Sequence, residues 1–165
     1  MKIKELQRFI QKLSPDLYSF AYVLIPDDLQ ATQLIIDCVQ SFLIQKTLLT
    51  DKLLQAKNSE IQNALLIETR LQLYKIIFEI AKKRYQQLKV SFQDVESEIG
   101  FFSLVFEEKA VLYLKEKVGC DLESIELISN LSQSEILSNL YTARVKMCQH
   151  FPIQGLESDL TPGAI

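Results

Sequence analysis

Lys75, Lys82 and Lys89 recur at intervals of seven residues, the one spacing in this chain that most invites recognition chemistry. Seven residues are nearly two helical turns, so the three lysines share a helix face, with Lys83 and Arg84 flanking them. Such a stripe suits phosphate tracking along a nucleic-acid strand, with Tyr85 placed to stack on a base. It equally suits an ordinary solvated helix face. A second, sparser set lies further on. Arg144 and Lys146 would contact phosphate, or would offset the negative end of a helix dipole, an effect of about 0.3–1 kcal/mol. The side-chain amides of Gln133 and Asn139 have the donor–acceptor pattern that pairs with an adenine edge.

Catalytic chemistry finds no footing. The chain has no G-x-S-x-G, no Walker loop and no H-E-x-x-H. Acid pairs such as Glu107–Glu108 occupy adjacent helix positions and do not converge. Glycine is absent from the first 99 residues, which nearly excludes glycine-rich phosphate loops there. Three cysteines (Cys38, Cys120, Cys148) and one histidine, without any C-x-x-C, do not make up a zinc site. The thiols are expected to be free and buried or half-buried. Cys148 and His150 are the one pair with ligand-like proximity. The sequence therefore predicts a non-enzyme with no metal, no cofactor and no small-molecule substrate.

The elements that must position the cations are helices. Apolar residues make up 48% and charged residues 24%, a globular balance in which Leu, Ile, Gln, Glu and Lys favour helix throughout. No run of 18 apolar residues occurs and the N-terminus lacks a signal-peptide core, so a cytoplasmic protein with no membrane span is expected. Periodicity predicts helices over about 2–13, then from Pro15 to about Leu24, with Ser14 as cap. Further helices are expected over 28–46, opened by Asp27 or Asp28, over 49–57, and over 60–89. The last would be about 45 Å long unbroken, so a kink is anticipated. Residues 90–103, with Asp94, Glu96, Glu98 and Gly100, read as a linker or docking loop. Helices near 105–118, 122–129 and 133–148 follow, with Gly119 terminating the first, Asp121 capping the second and Ser132–Glu135 forming a capping box for the third. Residues 151–165 read as irregular. The fold class is all-α, in two small helical units: 1–89, a linker 90–103, 104–149, and a tail 150–165.

Charge changes sign at the linker. Residues 1–90 carry 13 basic and 9 acidic side chains, net +4; residues 91–165 carry 5 and 12, net −7. Residues 105–147 have the layout of a major-groove reading module, two short helices, a turn and a longer helix. That stretch nevertheless holds five basic residues against seven acidic ones. DNA affinity begins with neutralising phosphate, so such a module is poorly charged for the task.

The order of elements resembles an extracytoplasmic-function (ECF) sigma factor, the two-domain class of bacterial sigma factor, over about residues 14–147. Leu17-Tyr18-Ser19-Phe20-Ala21, the Pro26-Asp27-Asp28 turn and the run Ala31 to Val39 are similar to the start of that family's second conserved region. Phe78-Glu79-Ile80-Ala81-Lys82-Lys83 is similar to its later helix. Lys109 to Leu114, Ser124 to Ser132 and Glu135 to Arg144 follow the apolar pattern of its fourth region. The resemblance implies a region 2-like bundle and a region 4-like helix-turn-helix unit, with RNA polymerase core or an anti-sigma-like protein as partner. The departures are chemical. Where the family's reading helix carries cations this chain has Leu137, Asn139 and Thr142; a small alanine is replaced by Glu126; the acidic polymerase-docking motif is reduced to Asp37.

The functional expectation is a sigma-factor-like protein in transcription regulation. It would act mainly through protein docking, with weakened DNA binding. Leu34, Ile36 and Asp37, and the pair Phe101–Phe102, are the docking candidates. For Leu34 and its apolar neighbours the alternative is a helix sandwiched in the core; for the phenylalanines it is burial against this chain's own helices. The rival functions are an active ECF sigma factor directing polymerase to promoters, and a helical adaptor outside transcription.

Overall fold

Leu6, Leu13, Leu17, Phe20, Ala21 and Leu24 fall on one side of a helix, and all six are buried. They belong to a single helix, α1 (Ile3–Leu24), in the computed structural model, which describes residues 3–45, 47–55, 59–88 and 100–150. The predicted break at Ser14–Pro15 is absent. Pro15 lies inside α1, where its missing N–H and ring cost roughly 3 kcal/mol. A buried stripe that runs unbroken past the proline outweighs that cost, since each enclosed Leu or Phe side chain contributes about 1.5–3 kcal/mol.

Asp27 opens α2 (Asp28–Gln45): its carboxylate accepts the Gln30 N–H at 2.8 Å. Helix α3 (Thr47–Gln55) is short, and α4 (Ser59–Leu88) runs 30 residues without the anticipated break. Ala31, Leu34, Cys38 and Phe42 of α2, with Leu73, Tyr74, Ile77 and Ala81 of α4, complete the core begun by α1.

Residues 89–99, most of the predicted linker, lie outside the described residues. The chain resumes in a short 3-10 turn at Gly100–Ser103, followed by α5 (Phe106–Tyr113) and a π turn at Leu114–Val118. Gly119, at φ +77°, ends that turn in the left-handed conformation glycine adopts freely. Asp121 then caps α6 (Leu122–Ser129), accepting the Ser124 N–H at 2.8 Å. The expected capping box opens α7 (Gln133–His150), with Glu135 accepting the Ser132 N–H at 2.8 Å.

Helices before residue 89 and after residue 99 share one hydrophobic core. Phe106, Ala110, Val111, Leu114, Ile125, Ile128, Ile136 and Leu140 are contiguous with the α1–α2–α4 cluster. Aromatic contacts stitch the boundary: Phe20 lies 5.5 Å from the Tyr113 ring, and Phe106 lies 5.4 Å from Phe78 and 5.2 Å from Tyr85. The described residues are helical and contain no strand, and no described helix is long and apolar enough to cross a membrane.

Candidate docking and nucleic-acid surfaces

Ion pairs and packing within the chain occupy much of the candidate cation set. On α4, Lys82 Nζ lies 3.1 Å from Glu107 of α5 and above the Phe78 ring, and its charge also reaches Glu135 at the start of α7. Arg84 is paired with Asp37 of α2 and reaches Gln30 at 3.5 Å. Thus a residue predicted to contact nucleic acid and a residue predicted to dock protein hold each other, tying α4 to α2. Tyr85, expected to stack on a base, is half-buried against Phe106. Lys75 is half-buried and Lys83 is exposed. Lys89 lies outside the described residues.

The same holds after the linker. Arg144 of α7 pairs with Glu116 of the π turn. Lys146 donates to both oxygens of Glu108, at 2.8 and 2.9 Å. Glu108 is itself buried and also accepts the Val105 N–H at 3.1 Å, so this pair anchors α7 to the start of α5. Lys115 donates to the Cys120 carbonyl at 3.3 Å. Gln133 donates to Glu126 at 3.3 Å and Asn139 to the Glu135 carbonyl at 2.9 Å, so both amides offered to adenine have partners in the protein. Glu107 and Glu108 turn to different helices, so they make no acid pair.

The outward face of α7 carries three large apolar side chains. Leu137, Tyr141 and Val145 stand four residues apart along it, exposed by 53%, 72% and 37%. Ser138 is exposed between Leu137 and Tyr141, and Ser134 is exposed one turn before them. Tyr141 and Val145 are not among the sequence-based site candidates; their four-residue spacing from Leu137 is the signal that groups them on one face. A second exposed apolar line runs down α2. Leu29, Ile36 and Leu43 are exposed at seven-residue intervals, with Ile44 beside the last. Of the docking candidates on this helix, Ile36 therefore faces out, Asp37 is held by Arg84 and by Gln33 at 2.8 Å, and Leu34 is fully enclosed and offers no surface.

Phe101 and Phe102 pack on the body, half-buried, their rings 5.8 Å apart. Phe102 lies 6.4 Å from Tyr22 of α1 and beneath the Lys109 ammonium at 5.7 Å. The residues expected to insert into a partner thus fasten the 3-10 turn to this chain's own helices.

The thiols divide into three environments. Cys38 is buried, donates to the Leu73 carbonyl at 3.4 Å, and is pushed by that burial up to about 12, which keeps it protonated and inert. Cys120 is half-buried, and burial raises it above the ordinary thiol range. Cys148, expected to be covered, is exposed on the last turn of α7. Among the described residues no three His, Cys, Asp or Glu side chains converge as metal ligands. Comparison with protein-family models, with curated proteins and with solved structures found no match to this chain.

Proposed function

We propose that this chain is a sigma-factor-like protein that acts in transcription control through protein surfaces, docking RNA polymerase core or a sigma regulator, with reduced contact to DNA. The observation that carries this reading is the outward face of α7. α7, the helix that the resemblance would put in a major groove, presents Leu137, Tyr141 and Val145, while Arg144 pairs with Glu116 at the surface and Lys146 with buried Glu108. That face offers a duplex no phosphate neutralisation, whereas a protein partner would bury it. The exposed apolar row Leu29, Ile36 and Leu43 supports a second protein contact, because a partner would take that surface out of water.

Mixing the purified chain with core RNA polymerase and following co-elution tests the reading. Co-elution is expected, and Ile36→Glu should weaken it about tenfold or more, the equivalent of roughly 1.4 kcal/mol. If polymerase does not bind, the regulator arm requires a complex with a purified anti-sigma protein that Tyr141→Ser disrupts. Failure of both arms contradicts the reading and favours an adaptor outside transcription. Specific transcription starts from polymerase carrying this chain would instead identify an active sigma factor.

A further inference from the structure

Residues 118–143, from the end of the π turn into α7, hold no lysine or arginine. They hold four acids, Asp121, Glu123, Glu126 and Glu135, and all four are exposed. None of the four forms an ion pair among the described residues. The charges of Lys115 and Lys82 reach Asp121 and Glu135 from neighbouring elements, and Glu126 accepts the Gln133 amide at 3.3 Å. These acids border the apolar row of α7. Gln133 holds Glu126 at one flank of the helix, and Glu135, two positions on, lies about 200° further round, at the other. On α6, Leu127 adds a fourth large apolar side chain, exposed by 59%, four positions after Glu123 and so on the same helix face.

Resting on the reading of α7 as a protein-docking helix, we infer that the α6–α7 surface takes a cationic amphipathic helix from a partner protein, its apolar stripe on Leu137, Tyr141 and Val145 and its lysines or arginines toward Glu123, Glu126 and Glu135. Leu137 to Val145 spans about 12 Å along the axis, which one partner helix covers in little more than two turns. Burial of the row supplies affinity; the acids select the sign of the partner and speed its approach. The Tyr141 ring, 72% exposed, offers its face to a guanidinium. Nucleic acid and anionic lipid carry the charge that these acids repel, and a second copy of the chain would bring the same four acids against them.

The test uses the full chain and two labelled synthetic peptides, each about 18 residues long so that a helix is stable. Both carry the same leucine stripe; lysines flank it in one and glutamates in the other. At low salt the lysine peptide should bind at least about tenfold more tightly, and the gap should narrow as salt rises. Tyr141→Ser should weaken the lysine peptide about tenfold, and Glu123→Gln/Glu126→Gln about fivefold. Both variants change exposed side chains, so the thermal midpoint should stay at its wild-type value, which separates lost docking from lost folding. Equal affinity for the two peptides, or lysine-peptide binding that survives both variants, overturns the inference. So does the absence of peptide binding; if polymerase or the regulator still forms its complex, the docking reading stands and the charge of the partner is what fails. Selective, Tyr141-dependent binding of the lysine peptide with neither complex formed upholds the inference and removes the named partners. A dimer in sedimentation that Tyr141→Ser dissolves makes a second copy the occupant and also overturns it.

Discussion

Helices α1, α2 and α4 are held along their sides, by stripes such as Leu17, Phe20, Ala21 and Leu24 that are fully enclosed. Helices α6 and α7 are also fixed at their ends, by Asp121 and by the Ser132–Glu135 box. Side packing tolerates local insults, which is why Pro15 sits inside α1. End caps obey local rules, which is why α6 and α7 begin where their polar residues say. The surfaces differ in parallel. Lys83 is exposed on α4, whereas Arg144 and Lys146 of α7 are paired with acids and the solvent-facing side of that helix carries Leu137, Tyr141 and Val145.

Four measurements break or sharpen this contrast. The largest effect is expected for Phe20→Ala. Phe20 touches Tyr74 at 5.3 Å and Tyr113 at 5.5 Å, so its loss opens the core on both sides of the linker. Chemical denaturation should show a loss of about 3–5 kcal/mol in one cooperative transition. Separate transitions for the two groups of helices would mean that the shared core does not couple them. Pro15→Ala should stabilise by about 2 kcal/mol, restoring a helical hydrogen bond at the cost of a looser unfolded chain. A neutral or negative result would mean that α1 needs the proline's geometry.

Ser132→Ala should cost about 1 kcal/mol, the usual loss of an N-terminal hydroxyl cap, and should be felt first at α7 in hydrogen exchange. The smallest effect concerns acid. The Ser124 hydroxyl and backbone N–H hold the Asp121 carboxyl below its ordinary range, and the Ser132 hydroxyl and N–H do the same for Glu135. Folded values below the unfolded ones mean that these caps stabilise fully above about pH 4 and lose that contribution as pH falls through the folded values. Asp121→Asn keeps a capping oxygen without the titration. Its stability should match wild type near neutrality and decline less steeply below pH 4; an unchanged acid slope would remove Asp121 from the account.

The same contrast explains what was legible in the residues. Gly119, Asp121 and Ser132–Glu135 act on backbone groups within three or four positions, so their roles could be read directly. The continuity of α1 and α4 depends on what lies across the core, so a local reading placed a break at Ser14–Pro15 and anticipated one in α4. For the candidate surfaces, the deficit of positive charge after the linker was visible as a composition. Its partners were not, since Arg84–Asp37, Lys82–Glu107, Arg144–Glu116 and Lys146–Glu108 join residues on different helices, far apart in sequence. Likewise α2 carries apolar residues on more than one face. Only the position of α4 decides that Leu34 turns in while Ile36 turns out.

The salt dependence of duplex DNA binding by the full chain, wild type against Arg144→Gln, tests most directly whether α7 has given up phosphate contact. A residue that neutralises one phosphate steepens the slope of log affinity against log salt by about one. The account predicts the same shallow slope for both proteins, with no affinity tighter than the non-specific range of roughly 10⁻⁴–10⁻⁶ M. A wild-type slope steeper than that of Arg144→Gln by about one, with tight and sequence-selective binding, would contradict it.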